Sequence, residues 1–122
     1  MHSPFKRSRL SRLEVEPTQG GVLARLTDCE LLDEDSTPGI KDQLFRLAEG
    51  MGPSVMLLDL GEVRFVSSTA LGMIVSLHKV LKSQGGRLTL CDVNEHLLEL
   101  FEVTQLTRLL DIRQKNSPPT TE

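Results

Sequence analysis

The sequence predicts a single α/β domain: a mixed sheet of four to five strands with helices packed on it, in the order β-β-α-β-α-β-α-β. Three observations carry that reading. The 122 residues, 39% of them hydrophobic, are enough for one core and too few for two ordinary domains. The apolar period changes along the chain from alternating to helical and back again. Between these stretches lies a near-continuous apolar run, Ser54–Leu60, of the kind that forms the middle of a sheet.

The elements follow in order. Arg12–Glu16 and Val22–Leu26 alternate apolar and polar positions with Gly20-Gly21 between them, which predicts two half-buried strands joined by a turn. An acidic loop, Asp28, Glu30, Asp33, Glu34 and Asp35, ends at Thr37-Pro38, where Thr caps a helix and Pro fits its first turn. Ile40, Leu44, Leu47 and Ala48 line one face of that helix, and Gly50, Gly52 and Pro53 stop it. Ser54–Leu60 then reads as a central strand covered on both faces. From about Thr69, the residues Leu71, Ile74, Val75, His78 and Leu81 recur at helical spacing until Gly85-Gly86, and Arg87–Cys91 is the next strand. Such a strand, helix and strand form one right-handed crossover between parallel neighbours. Asn94 is placed to cap a third helix carrying Leu97, Leu98 and Phe101. Leu106, Leu109, Leu110 and Ile112 supply a last apolar segment ending in a short strand. Residues 1–11 are expected to form a flexible basic arm, 12–113 the domain, and 114–122 a disordered polar tail.

Composition removes several function classes. There is no Trp and no Tyr, and the four Phe are Phe5, Phe45, Phe65 and Phe101, so base- or sugar-stacking platforms cannot be built. Phe45 and Phe101 fall on helix faces, and Phe65 is expected in the core as an anchor. Lys6, Arg7, Arg9 and Arg12 precede the first acid, leaving residues 13–122 with ten basic and seventeen acidic groups. An acidic body of this kind repels phosphate backbones, which argues against direct nucleic-acid binding. No apolar run approaches the roughly 18 residues of a membrane helix, and the arm lacks the apolar stretch of a secretory signal, so the cytoplasm is the expected location. Cys29 and Cys91 form no CxxC, and His2, His78 and His96 are scattered. The pattern gives reduced thiols, no metal site and no cofactor. Cys91, ending a buried strand, is expected to be an apolar filler, and Cys29, in the acidic loop, to be exposed.

The most informative stretch is Val63–Gly72, Val-Arg-Phe-Val-Ser-Ser-Thr-Ala-Leu-Gly. Three hydroxyls, Ser67, Ser68 and Thr69, stand where a strand and its exit loop turn into a helix. A helix start has unpartnered backbone N–H groups and a partial positive charge, so hydroxyls cap it well and an anion there is stabilised. The ordinary reading of such a cluster is an N-cap.

From about Val22 to Ile112 the chain resembles the STAS domain of bacterial anti-sigma factor antagonists. The resemblance rests on Val-Met-Leu-Leu-Asp-Leu (55–60), Val63-Arg-Phe-Val with the hydroxyl turn and Leu71-Gly72, and Leu77-His78-Lys79. It continues through Gly85-Gly86-Arg-Leu-Thr-Leu to the Leu-rich third helix and Leu106-Thr-Arg-Leu-Leu. The family's turn typically reads Asp-Ser-Ser-Gly-Leu with its first Ser as phosphoacceptor, a position that falls on Ser68. Ser67 replaces the Asp, Thr69 the second Ser and Ala70 the Gly. The resemblance implies a contact surface bordered by Ser67, Thr69, Leu71 and Gly72, with Asp33 and Asp35 in a loop on the same rim. It also implies a cycle. The unmodified chain binds an anti-sigma factor that is a serine kinase and so frees a sigma factor. Phosphorylation ends the interaction, and a phosphatase resets it. The alternative is a non-phosphorylated STAS scaffold or an accessory subunit of a signalling or lipid-transport complex. An enzyme is not expected: there is no G-x-S-x-G elbow and no phosphate loop, and His78 reads as a satisfied packing residue.

Overall fold

The computed structural model describes residues 12–33 and 39–114; the basic arm, Thr37, Pro38 and the tail beyond Gln114 lie outside the described residues. The chain runs β1 (Arg12–Thr18), β2 (Gly21–Thr27), β3 (Leu31–Leu32), α1 (Ile40–Glu49), β4 (Val55–Asp59), β5 (Phe65–Val66) and α2 (Ser68–Ser83). It continues with β6 (Arg87–Val93), α3 (Glu95–Val103), a 3-10 turn (Leu106–Arg108) and β7 (Asp111–Gln114). Five strands form one sheet in the order β1-β2-β4-β6-β7. β1 pairs antiparallel with β2, and the remaining neighbours are parallel. The predicted mixed sheet is therefore present, with Gln114, assigned from sequence to the tail, closing β7. Two short strands escaped the sequence reading: β3 and β5 pair with each other as a separate parallel ladder.

Register explains the burial. Val22, Met56 and Leu88 share one row, and Ala24, Leu58, Leu90 and Ile112 the next. These rows form one core with Ile40, Leu44 and Ala48 of α1, Ala70, Ile74, Leu77 and Leu81 of α2, and Leu97 and Phe101 of α3. All three helices thus cover the same face of the sheet. The expectation that β4 is covered on both faces is incorrect. On its other face Leu57 stands between Leu23 and Thr89, half-buried by neighbouring strands and outside the helix-covered core. An apolar run looks the same in sequence whether helices or adjacent strands shield it.

The face that no helix covers among the described residues carries a polar row. Asp59 is 8% exposed; its Oδ2 accepts a hydrogen bond from Arg25 Nε at 3.1 Å, and its Oδ1 one from the Gly61 N–H at 2.8 Å. The bond from Arg25, with the Asp59 charge behind it, holds the Arg25 guanidinium above its usual pKa. Cys91 shares this row, half-buried, and burial pushes its thiol pKa up. The expectation that Cys29 is exposed fails, whereas Cys91 is half-buried outside the helix-covered core. Cys29 is the buried one, at 2% exposure, because the loop that holds it folds back onto the core instead of projecting from it.

The stripe expected on α2 is displaced. Ala70, Ile74, Leu77 and Leu81 are buried, whereas Leu71, Val75 and His78 flank them half-buried. His78 is not the satisfied residue that sequence reading expected: its Nδ1 is enclosed with no hydrogen-bond partner among the described residues. Burial first, then Lys82 and Lys79, lowers its pKa. The fold therefore favours the neutral ring. The stability this contributes is complete above the unfolded value of about 6.5 and is lost as pH falls below it, where the unfolded chain takes up the proton first. His78→Gln is expected to flatten urea-unfolding stability between about pH 7 and 5; an unchanged pH slope removes His78 as its source.

The other helix ends follow the chemistry of their residues. Asn94 caps α3 as expected, its Oδ1 accepting from the Leu97 N–H at 2.8 Å. α1 starts at Ile40, with Gly39 before it in the left-handed region, φ 93°, which suits glycine. Gln84 fastens the far ends of α1 and α2 together: Nε2 donates to the carbonyls of Ala48 at 2.9 Å and Val80 at 3.3 Å, and Oε1 accepts from the Gly52 N–H at 3.2 Å.

Candidate functional site

The hydroxyl turn lies at the end of the molecule where β4 hands over to α2. Leu60 extends the β4–β6 ladder, its N–H donating to Cys91 O at 3.0 Å, and Val63 closes a turn onto Leu60 O at 3.0 Å. Val63 is fully buried and anchors the residues after it. The backbone is then stitched to the segment after β2. The Asp28 N–H donates to Glu62 Oε1 at 2.8 Å. The N–H groups of Arg64 and Phe65 both donate to Glu30 O, at 2.8 and 3.1 Å, and the Ser67 N–H donates to Leu32 O at 3.1 Å. Leu31 pairs with Phe65 and Leu32 with Val66. An Arg64–Glu30 ion pair at 3.4 Å overlies this ladder, and being exposed it adds little.

The three hydroxyls have different tasks. Ser67 has extended dihedrals, φ −74° and ψ 164°, and its Oγ accepts from the Ala70 N–H at 3.1 Å. Its carbonyl accepts the first helical bond, from the Leu71 N–H at 2.9 Å. Ser67 is thus the N-cap, and its half-buried hydroxyl is engaged. Ser68 is the first residue of α2 and is exposed, as is Thr69. Ala70 is helical and 3% exposed, so a methyl there fills core space without the backbone penalty that glycine brings to a helix. No acidic residue occupies the first turn of α2, so the positive end of its dipole faces Ser68 unopposed.

Beside the turn, between α1 and α2, is a cavity of about 520 Å³ lined by Asp33, Phe45, Thr69, Ala70, Gly72 and Met73 among others. The structure brings Asp33, Thr69 and Gly72 together along this cavity. Gly72 is exposed, and a Cβ added there meets nothing within 4 Å. Leu71 is half-buried and packs against the core. Asp35 lies outside the described residues.

A model of the STAS domain matches residues 17–117. The chain belongs to the STAS domain family. An anti-sigma-B factor antagonist of Bacillus subtilis (strain 168) is 36% identical over 85 residues, spanning 70% of this chain and 76% of that protein. Solved structures share the fold. An anti-sigma-factor antagonist (STAS) domain protein from Planctomyces limnophilus has a TM-score of 0.76 at 21% identity, over 84% of this chain and 89% of that one. The anti-sigma factor antagonist SpoIIAA matches in its unphosphorylated form with a TM-score of 0.66, over 83% of this chain and 87% of that one. Its phosphorylated form matches with a TM-score of 0.62, over 83% and 90%, both at 17% identity.

Within this STAS domain, two features near the turn were not legible in the sequence. Phe65, expected in the core, is 39% exposed. The Arg64 guanidinium lies 5.9 Å from its ring centre, and the His96 ring meets it edge-on at 6.0 Å. The available signal was strand alternation: Val66 packs inward, so its neighbour on a two-residue strand points out. The second feature is the far side of the Asn94 amide, which faces Val63. Among the described residues no helix is long and apolar enough to cross a membrane.

Proposed function

We propose that this chain is an anti-sigma factor antagonist: unphosphorylated, it binds an anti-sigma factor and so frees a sigma factor, and phosphorylation of Ser68 ends the interaction. The observation that carries this reading is the division of labour at the turn. The Ser67 oxygen is engaged as the cap, while Ser68 stands exposed in the first turn, next to a rim formed by Asp33, Thr69 and Gly72. Ser67 replaces the Asp of the family's turn, yet both residue types are strong N-caps, so the structural part of that position is retained.

The chemistry belongs to the partner. The anti-sigma factor, acting as a serine kinase, presents ATP; the Ser68 Oγ attacks the γ-phosphorus, its proton passes to a base of the kinase, and the bond to the departing ADP breaks. The product carries about −1.5 to −2 charge at a helix start that tolerates it. A partner packed on the same rim then faces an unpaired dianion. A phosphatase resets the cycle by hydrolysing the phosphoserine. On this reading the chain is a substrate and a binding module, not a catalyst, and it works in the cytoplasm. The similarity to SpoIIAA in both phosphorylation forms supports a fold compatible with such a cycle.

The test is to mix the purified chain with the serine-kinase anti-sigma factor of the same organism and ATP, and to map phosphate by mass spectrometry in wild type and Ser68→Ala. Phosphate on Ser68, abolished in the variant, is expected. Phosphate confined to Ser67 or Thr69 overturns the assignment. Absence of phosphate on all three, with stable copurification with a membrane ATPase, favours the scaffold reading.

A further inference from the structure

We infer that Asn94 is a positioning residue for phosphorylation of Ser68, holding the phosphoacceptor segment in place from the α3 side; the inference rests on Ser68 being the phosphoacceptor. The stitches described above all reach the segment 61–67 from the stretch 28–32. Asn94 reaches it from the opposite flank, its Nδ2 donating to Val63 O at 3.0 Å. The same amide caps α3, with Oδ1 accepting from the Leu97 N–H at 2.8 Å. The two bonds fix one orientation of the amide, because the flipped group would oppose N–H to N–H and oxygen to oxygen.

This double duty explains why the position is Asn. As a cap alone, Asn, Asp and Ser are nearly equivalent. Neither alternative does both jobs: an ionised Asp has no donor for the Val63 carbonyl, and Ser is too short to span from α3 to it while capping. Val63 is fully buried, and four residues on its chain enters the cap at Ser67. Its carbonyl is therefore the point at which α3 sets the path of the backbone into the turn. His96, in the first turn of α3, touches Phe65 on the same stretch, so the N-terminus of α3 borders the segment at two places. Transfer from ATP requires the Ser68 Oγ in line with the γ-phosphorus, and a misplacement of about 1 Å costs up to roughly a hundredfold in rate.

Two variants that keep the cap test the inference, Asn94→Asp and Asn94→Ser. Amide hydrogen exchange of the free protein, followed by NMR, is expected to accelerate by about fivefold or more at Arg64, Phe65 and Ser67, while Leu97 and Leu98 keep their protection. With the serine-kinase anti-sigma factor and ATP, kcat for Ser68 phosphorylation is expected to fall about tenfold with KM changed less than about threefold. Unchanged exchange at the three segment amides, or a kcat within about twofold of wild type, overturns the proposal. Joint loss of protection in α3 and the segment also overturns it, since that outcome makes Asn94 merely stabilising. If wild type takes no phosphate on Ser68, the underlying functional reading fails, and exchange in the free protein still decides whether Asn94 holds the segment.

Discussion

On the proposed function, Ser68→Asp is expected to weaken binding of the anti-sigma factor by a hundredfold or more, about 3 kcal/mol, while Ser68→Ala is expected to stay within about threefold of wild type, with the fold undisturbed in both. The expectation follows from where the side chain stands. Ser68 is exposed in the first turn of α2, and that turn contains no other acid. A carboxylate at such a site is stabilised by about 0.3–1 kcal/mol from the helix dipole, so the melting temperature of the Asp variant is expected to hold or to rise slightly. The penalty falls on the complex, where the added charge is stripped of water without a partner and fits none of the surface evolved for a hydroxyl. Titration calorimetry on both variants, beside thermal melts, separates the two effects. Ser68→Asp binding as tightly as wild type would sink the switch mechanism.

Gly21→Ala is expected to destabilise the fold by more than about 3 kcal/mol, a large part of the roughly 5–15 kcal/mol that holds a domain together. Gly21 opens β2 and pairs with Val55. A Cβ built on it comes within 1.9 Å of the Val55 carbonyl oxygen and 2.8 Å of the Val55 backbone carbon and nitrogen. The obstruction is backbone in the middle of the sheet, so it cannot swing aside as a side chain would; relief requires breaking the row. Gly86 stands in the same relation to the other flank of β4, with its Cβ position 2.3 Å from Ser54 O. Gly20 is the control, since a Cβ there meets nothing within 4 Å, and Gly20→Ala is expected to cost less than about 1 kcal/mol. Urea unfolding of the two alanine variants decides the matter. A loss below about 1 kcal/mol for Gly21→Ala shows that the strands are not so closely apposed.

The features legible in the sequence and those hidden in it divide along physical lines. Asn94 and the hydroxyl turn were recognisable as caps because capping is a local interaction, complete within four residues. The order of the main strands and helices was equally legible from apolar periodicity. The pairing of Leu31–Leu32 with Phe65–Val66 was not, since two-residue strands have no period to detect and their contact joins distant parts of the chain. The exposure of Phe65 depends on which side of that ladder faces the core, and the burial of Cys29 on the loop before β3 folding back onto the core. Near the turn, Asp33, Thr69 and Gly72 line one cavity. Leu71, drawn into the buried stripe from sequence, stands half-buried at its flank because α2 presents Ala70, Ile74, Leu77 and Leu81 to the core. The bond from Asn94 to Val63 was invisible because a cap residue announces only one of its two hydrogen-bonding ends.

On the proposed function, adjacent serines at the start of α2 separate upkeep of the fold from storage of a signal. Ser67 keeps the helix begun, through an oxygen already engaged by the Ala70 N–H. Its neighbour Ser68 lies one residue further along, on the surface. On the proposed function, a phosphate placed on Ser68 is therefore expected to be added and removed without the helix being unmade, so that the chain keeps one shape through the cycle. A protein working in this way would store one bit as charge, with the partner sensing the bit directly at the place where it is stored.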